Sequence, residues 1–331
     1  MSKKIVIVAS GGDAPGMNAC VESIFTHAKA LGWSVFGAAG YTALIEGLWV
    51  ELVANSCDSG SAKGSAPVVA SGISHLTGCV FGSRRSKEFG TKEGVEKALA
   101  NISAHFDAVV VLGGNGSLKG AWEKLEKNGV PVIGIPATVD NDVFFTKNNL
   151  GFSSAAEEGV RLVDMLNGTM RTNERDHVVQ IMGWNCVELS NFIGQATFAD
   201  AIDTIEKRHK PHELAQVLEK NRTAGKTSNT VIFQEKVEKG VPRNIIAETR
   251  ASIGLWEELC KYVGEDLRWN ILGHAQRGAP PSARDRWLGF HYGKLAIELI
   301  QKGKFGLGIG LVGDEFTTLG LEEITRLNYK I

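Results

Sequence analysis

The chain has few cysteines, and none of them lie at metal-binding spacing. Its 5 cysteines are scattered over 331 residues without a CxxC pair. This pattern argues against a disulfide framework and against a zinc site, and it predicts a reducing compartment. No apolar run approaches the ~20 residues that a helix needs to cross a bilayer. We therefore expect a soluble, cytoplasmic protein without a membrane segment.

An excess of charge of one sign is also missing. Lys and Arg total 36 against 37 Asp and Glu, which gives a formal net charge of −1. Such a balance provides no electrostatic attraction for nucleic acid or for an anionic membrane. We therefore expect neither as a partner.

Short apolar runs alternate with amphipathic segments of helix length. This alternation is typical of βαβ units and a mostly parallel sheet. The first unit is predicted as strand Lys4–Ala9, glycine loop Ser10–Gly16 and a helix from about Asn18 to Leu31. The pattern restarts after Gly151 with a long helix. Together with the length of 331 residues, this predicts about two α/β domains.

Three turns follow predicted strands, at the edge where open α/β sheets bind ligands. They are Gly11–Gly16, Gly113–Ser117 and Ala137–Asp142. Glycine lets backbone N–H groups converge on an anion, although a lone Gly-Gly turn is more often structural. None of the three is a Walker A loop or a Gly-x-Gly-x-x-Gly fingerprint, which disfavours a P-loop ATPase and a Rossmann dehydrogenase.

The third turn carries two carboxylates, Asp140 and Asp142. A carboxylate at a strand end can take a proton from a substrate hydroxyl or hold Mg²⁺. The alternative is a turn in which Asp and Asn side chains bond their own backbone.

Five segments, taken in order, resemble the signatures of the phosphofructokinase family. They are Ser10–Asn18, Gly113–Ser117, Pro136–Asp142, Gln180–Gly183 and Leu272–Gly278, and the resemblance spans about residues 4–300. It implies two doubly wound, three-layer α/β/α domains with mostly parallel sheets. We expect residues 1–150 plus about 265–310 to form the phosphoryl-donor domain, and residues 151–264 plus about 311–331 the sugar-phosphate domain. The active site would lie in the cleft between them.

The resemblance implies phosphoryl transfer from Mg-ATP to the 1-hydroxyl of fructose 6-phosphate, a glycolytic step that gives fructose 1,6-bisphosphate. Asp140 would be the general base, Thr138 would contact the transferring phosphate, and Mg²⁺ would lie at Asn115 and Asp142. The implied fructose 6-phosphate positions are Thr138, Asp140, Arg175, Met182, Gly183, Glu235, Arg268, His274 and Arg277. The implied nucleotide positions are Gly11, Tyr41, Arg85, Ser86, Gly114, Asn115, Gly116, Ser117 and Gly120.

Two positions depart from the family in ways that bear on activity. Asn115 stands where the family has an aspartate that ligates Mg²⁺, and an amide oxygen carries no charge. Trp184 stands where ATP-dependent members place an arginine, and an indole cannot supply its charge. Either loss would cost roughly 3 kcal/mol of transition-state stabilisation. These departures leave open a catalytically weak, sugar-phosphate-binding regulatory subunit that forms a hetero-oligomer with an active paralogue.

Donor identity, assembly and regulation also follow from the resemblance. Gly116 leaves the space of an α-phosphate open and Ala137 is not a lysine, which favours ATP; a pyrophosphate-dependent enzyme is the third reading. The family's subunits share sugar-phosphate sites, so we expect a homodimer or homotetramer. Val21 and Phe25 replace effector-binding arginines, with no cation nearby and only Lys226 left of a later basic cluster. We expect the effector pocket to be absent and this apolar helix face to pack against a neighbouring subunit.

Overall fold

The structure is a computed structural model that describes residues 2–55, 66–143, 145–236 and 245–328. The chain divides into two compact units. The first is formed by Met1–Thr138, Asp142–Ser154 and Gly278–Ile331, and the second by Val139–Asn141 and Ala155–Arg277. Each unit has its own sheet, and most neighbouring strands in both run parallel. The predicted fold class is therefore confirmed.

The first unit contains an eight-stranded sheet. Its strands are β1 (Lys4–Ala9), β2 (Ser34–Ala39), β3 (Val50–Val53), β4 (Val68–Val69), β5 (Ala108–Gly113), β6 (Val132–Pro136), β11 (Leu307–Val312) and β12 (Glu315–Gly320). Their order is β12-β11-β6-β5-β1-β2-β3-β4. The five strands from β11 to β2 in that order are parallel, whereas β12 is antiparallel to β11 and β3 to β2.

Helices of the first unit cover both faces of this sheet. They are α1 (Met17–Ala30), α2 (Gly40–Glu46), α3 (Lys92–His105), α4 (Asn115–Gly120), α10 (Ala283–Gln301) and α11 (Leu321–Asn328). Val6 and Val8 of β1 pack in a core with residues of α2, α3, α4 and α11. Ile5 and Ile7 are equally buried, and they point the other way because successive strand residues face opposite sides. Burial on both faces explains why the central strands appear in the sequence as continuous apolar runs.

The second unit contains a four-stranded parallel sheet in the order β10-β7-β9-β8, where β7 is His177–Ile181, β8 is Ala201–Asp203, β9 is Thr230–Gln234 and β10 is Arg268–Ile271. Its helices are α5 (Phe152–Thr172), α6 (Glu188–Ala196), α7 (Pro211–Thr223), α8 (Ile245–Val263) and α9 (His274–Arg277). A separate core forms around Val178, Val231 and Phe233, against Leu214 and Leu218 of α7.

Two of the expected domain boundaries are corrected. Residues 311–331 belong to the first unit, because β12 pairs with β11 along its whole length, from Leu307 opposite Gly320 to Val312 opposite Glu315. Residues 265–277 belong to the second unit, because β10 pairs with β7. The chain therefore returns to the first unit near Gly278, and it remains there.

The expectation for the first helix is also corrected. Val21 is 0% exposed and Phe25 is 4% exposed within the chain itself. They belong to its own core, so they are not available to pack against a neighbouring subunit. Among the described residues, none of the helices has the length and apolarity required to span a membrane.

Candidate active site

The loop after β1 is fixed by its neighbour after β5. The Ser117 hydroxyl donates to the Ser10 carbonyl at 2.8 Å, and the Gly11 N–H donates to the Arg84 carbonyl at 3.2 Å. Gly11 has φ +102°, a conformation that side-chain-bearing residues rarely adopt. At Gly113 an added Cβ would lie 2.5 Å from the Ser10 carbonyl oxygen. The close approach of these two loops therefore depends on glycine.

Tyr41 supports the second loop from behind. Its hydroxyl donates to the Ser117 carbonyl at 2.7 Å, and its ring stacks on Phe89 at 3.9 Å between centroids. The side chain is 4% exposed, and burial raises the pKa of its hydroxyl. An added Cβ at Gly120 would lie 3.3 Å from the Tyr41 ring. These predicted nucleotide positions thus shape the loop, with little surface of Tyr41 left for a ligand.

Arg85 and Ser86, two of the predicted nucleotide-binding residues, directly follow Arg84, which lies beside the loop after β1. Ser10 pairs with Arg84 as a parallel bridge, and Arg85 is exposed. The Ser86 hydroxyl accepts from the N–H of Phe89, in the short helix Glu88–Gly90, at 3.2 Å.

The turn after β6 is held by backbone bonds. The Ala137 N–H donates to the Gly113 carbonyl at 3.0 Å, and the Thr138 N–H donates to the Leu150 carbonyl at 3.0 Å. Asn141 has φ +53°, which Asn tolerates better than most residues. Its side-chain amide donates to the carboxylate of Glu188 at the start of α6.

Accessibility alternates along this turn. Val139 is 0% exposed and Asn141 is 4% exposed, whereas Thr138, Asp140 and Asp142 are all partly exposed. The three predicted catalytic residues are therefore the partly exposed positions of this turn, between residues that are buried.

Asn115 is tied to the same turn. Its Nδ2 donates to the Asp142 carbonyl at 2.7 Å, while its Oδ1 is buried and has no hydrogen-bond partner among the described residues. An added Cβ at Gly114 would lie 3.4 Å from the Thr138 Cβ. At Gly116 an added Cβ would meet nothing within 4 Å, so the space beside this residue is open.

Several of the predicted fructose 6-phosphate positions lie at the carboxyl ends of β7 and β9. Met182 and Gly183 follow β7 directly, and Glu235 follows β9, its N–H donating to the Ile181 carbonyl at 2.8 Å. Two glutamines hold this edge. Gln234 donates to the Gly183 carbonyl at 2.7 Å, and Gln276 accepts from the Met182 N–H at 3.1 Å.

Arg175 and Arg268 lie at the opposite edge of that sheet. Arg268 begins β10, Arg175 precedes β7, and both reach Asp266, at 3.2 and 3.6 Å. His274 and Arg277 instead form α9, beyond the carboxyl end of β10. With four residues in β10, the two edges are roughly 13 Å apart at ~3.3 Å per residue. Within one chain, the structure therefore separates the two arginines from the other acceptor residues.

Sequence reasoning missed Gln234, Gln276 and Glu188, which hold the loops in place. Gln234 ends an apolar strand and Gln276 lies within the segment Leu272–Gly278, whereas Glu188 begins a helix and offers no comparable signal. The accessible positions of α1 were also missed. Glu22 accepts N–H bonds from Gly72, Ile73 and Ser74 at 2.6 to 3.1 Å, and a cavity of about 330 Å³ beside it is also lined by Arg286. Arg286 is thus a cation beside the accessible face of α1, a face that the expectation for Val21 and Phe25 did not consider.

Comparisons with known proteins identify the family of the chain. A family model described as Phosphofructokinase matches residues 4–300. The chain belongs to the phosphofructokinase family. It is 32% identical over 323 residues to ATP-dependent 6-phosphofructokinase 1 of Thermus thermophilus, covering 97% of this chain and 93% of that protein. It is 34% identical over 332 residues to the ATP-dependent 6-phosphofructokinase of Finegoldia magna, covering 99% and 95%.

Solved structures are similar over nearly the whole chain. Phosphofructokinase from Saccharomyces cerevisiae superposes with a TM-score of 0.81 at 28% identity, over 99% of this chain and 46% of that one. The present chain thus spans about half of the yeast chain. Pyrophosphate-dependent phosphofructokinase from Marinobacter aquaeolei gives a TM-score of 0.78 at 20% identity, over 97% of this chain and 83% of that one. This second likeness shows the fold alone.

Proposed function

We propose that the protein transfers a phosphoryl group from Mg-ATP to the 1-hydroxyl of fructose 6-phosphate, with Asp140 as general base. The observation that carries the proposal is the turn after β6, in which Thr138, Asp140 and Asp142 are partly exposed whereas Val139 and Asn141 are buried. A carboxylate there can accept the hydroxyl proton as the oxygen attacks the phosphoryl group. The Thr138 hydroxyl can donate to a phosphoryl oxygen. Phosphoryl transfer needs little more from the protein than such positioning and charge stabilisation.

The residues near Asp142 fit a Mg²⁺ ion. The buried Oδ1 of Asn115 lacks a hydrogen-bond partner among the described residues, and Asn115 already bonds the Asp142 backbone. Within those residues, no cluster of three or more His, Cys, Asp or Glu side chains could hold a metal. Mg²⁺ is commonly held by one or two protein oxygens together with substrate phosphates and water. When bound, it would neutralise charge on the donor phosphates.

ATP is the donor that the loop geometry supports. The open space beside Gly116 can accommodate a phosphate with further groups attached. The relatives from Thermus thermophilus and Finegoldia magna are both named ATP-dependent.

The proposal is tested with the purified full chain in a coupled assay. Fructose 6-phosphate is offered with ATP or with pyrophosphate while Mg²⁺ is varied, and we expect Mg²⁺-dependent turnover with ATP. Turnover with pyrophosphate alone would reassign the donor. Fructose 6-phosphate binding without turnover on either donor would favour the second candidate, a regulatory subunit with a weak site, which the uncharged Asn115 supports.

The acceptor site also supports assembly into a homodimer or homotetramer. Arg175 and Arg268 lie at the opposite sheet edge from His274 and Arg277, so the two sets cannot meet one 6-phosphate within a single chain. A second copy that presents its arginines would complete the pocket, since a guanidinium pairs two phosphate oxygens at once.

Mixing inactive variants tests this shared site. Arg175→Ala and Asp140→Asn proteins should each be inactive, and together they should regain part of the activity because hybrid oligomers contain some intact sites. Mixing two samples of Asp140→Asn protein is the matched control. A fully active monomer on size-exclusion chromatography would contradict the proposal.

A further inference from the structure

Asp266 is a carboxylate that contacts two guanidinium groups at once. Its Oδ1 lies 3.2 Å from a terminal nitrogen of Arg268 and 3.6 Å from Nε of Arg175. Two like charges repel each other, so an anion between them stabilises their approach. The contact therefore shows that the two arginines converge on a position that one anionic oxygen can occupy.

The backbone of both arginines is anchored at the amino edge of the sheet. The Ser228 hydroxyl donates to the Arg175 carbonyl at 2.7 Å, and the Arg268 N–H donates to the Asp176 carbonyl at 3.0 Å. Asp176 is itself buried, and its carboxylate accepts from the Asn229 N–H at 2.8 Å. An exchange of the anion between the two guanidinium groups therefore requires only side-chain movement.

The Asp266 carboxylate, in contrast, is open to water. Its side chain is 82% exposed, whereas those of Arg175 and Arg268 are 39% and 37% exposed. Such ion pairs contribute little to stability, because the charges remain hydrated and screened. A phosphate monoester carries roughly twice the charge of a carboxylate near neutral pH and offers three acceptor oxygens. Because a guanidinium can pair two of these oxygens at once, phosphate is the stronger anion for this pair of arginines.

We propose that Asp266 occupies the phosphate position of the arginine pair in the unliganded protein, and that the 6-phosphate of the sugar displaces it. Asp266 then lowers the affinity for fructose 6-phosphate, because both ion pairs must be broken when the phosphate binds. This inference rests on the proposed function, in which Arg175 and Arg268 of one copy bind the 6-phosphate in the site of a second copy.

Calorimetry with the full chain and fructose 6-phosphate tests this exchange. In Asp266→Asn we expect the dissociation constant to fall at least about threefold, because the amide keeps the size of the side chain but removes the charge from two exposed ion pairs. In steady-state assays KM should fall by a similar factor while kcat stays that of the parent, since the displacement affects binding and not the transferred phosphoryl group. Asp266→Glu keeps the carboxylate and should bind like the parent.

Glu265→Gln is the matched control. It removes one negative charge from the neighbouring residue, whereas the bond between Glu265 and Arg268 is made by the backbone carbonyl, which accepts from the guanidinium at 3.1 Å. The substitution leaves that carbonyl in place, so only the screened, long-range effect of the charge is lost. We expect the affinity of this variant for fructose 6-phosphate to equal that of the parent.

Three results would overturn the proposal. Equal gains in Asp266→Asn and Glu265→Gln would show a general effect of net charge, and weaker binding in Asp266→Asn would show that the carboxylate holds the arginines in their binding positions. An unchanged affinity in Asp266→Asn would show that nothing has to be displaced. If Asp266→Asn does not fold, Asp266→Ser removes the same carboxylate and is held to the same three criteria.

Failure of this inference and failure of the proposed function give different results. Binding requires no turnover, so a gain of affinity in Asp266→Asn with an inactive parent would refute only the kinase assignment. An active parent with an unchanged affinity in Asp266→Asn would refute only the role of Asp266. A parent that does not bind fructose 6-phosphate would refute both.

Discussion

The strand ends of the two units are fixed in different ways. In the first unit, the loops after β1 and β5 approach each other through glycine, and an added Cβ at Gly113 would lie 2.5 Å from a backbone oxygen. In the second unit, the loop after β7 is held by side chains, above all by the amides of Gln234 and Gln276. Backbone approach suits a phosphate chain, which is recognised by N–H groups. Side-chain networks suit a sugar, whose hydroxyls require donors and acceptors at defined positions.

The largest expected effect on activity comes from a substitution in the turn between β6 and α5, and not from the loops compared above. Asp140→Asn keeps the size of the side chain but cannot accept the hydroxyl proton. We expect the turnover number to fall by 10²–10⁴, the usual range for general-base catalysis, with fructose 6-phosphate affinity unchanged. Residual activity within about threefold of the parent would remove Asp140 from the role of base.

Substitutions at the glycines of the loops after β1 and β5 should mainly lower the free energy of unfolding. In Gly113→Ala the new methyl group would lie 2.6 Å from the Ser117 hydroxyl oxygen as well as against the Ser10 carbonyl. Such overpacking lowers the free energy of unfolding by roughly 1–3 kcal/mol. Gly116→Ala is the matched control, because its methyl group meets open space and α4 gains helix propensity. Equal unfolding midpoints for the two variants in urea would show that the close approach is not needed.

The stability of the second unit should depend on pH, because His177 of β7 is buried. Burial lowers the pKa of His177 to about 4, below its ordinary value of 6.5. The unfolded chain then binds this proton more readily than the folded chain, so the contribution of His177 to stability is lost as pH falls from about 6.5 to 4. At pH 5 the loss is about 2 kcal/mol.

Asp203 acts in the opposite direction over part of the same range. Burial raises the pKa of its carboxyl to about 6, against the effect of Arg208, so its folded form binds the proton and gains stability as pH falls from about 6 to 4. The two effects offset each other in the parent. His177→Gln removes one of them, so relative to the parent it should gain about 2 kcal/mol of unfolding free energy between pH 7 and pH 5. A pH-independent difference between the two proteins would contradict the burial of a neutral imidazole.

The central strands and the turn Ala137–Asp142 were predictable from local sequence. Buried parallel strands such as β5 and β6 are short apolar runs, and Asp140 and Asp142 follow one of them. The helix α10 was not anticipated. Its Gly289 and Gly293 pack against α1, where an added Cβ would meet the backbone at 2.8 Å, so small residues replace the usual apolar stripe. The pairing of β12 with β11 depends on tertiary contacts that local patterns do not contain.

Site residues divide in the same way. Residues within ordered motifs could be found, whereas Gln234 could not, because a single polar residue at a strand end has no distinctive spacing. On α1 the error concerned which face of the helix is accessible. Assigning the effector positions to Val21 and Phe25 selected the buried face of the helix, while Glu22 and Arg286 line the accessible cavity. A helix turns by about 100° per residue, so a shift of one position exchanges core for surface.

The smallest expected effect concerns regulation by anionic effectors such as phosphoenolpyruvate or ADP. Binding their phosphates requires several cations or helix N-termini that point at them. Beside α1, Arg286 is accompanied by the carboxylate of Glu22, and Glu22 already accepts backbone N–H bonds that an anion would need. Lys226 is bound to Asp200 at 2.5 Å.

We therefore expect hyperbolic saturation with fructose 6-phosphate and an unchanged midpoint in millimolar phosphoenolpyruvate or ADP. The Glu22→Arg variant is the positive control for this expected lack of response. It removes the carboxylate that repels phosphate, and its new arginine lines the cavity together with Arg286. Its midpoint should shift with phosphoenolpyruvate while that of the parent does not. A several-fold shift of the midpoint in the parent would mean that effectors bind a cationic site elsewhere on the molecule.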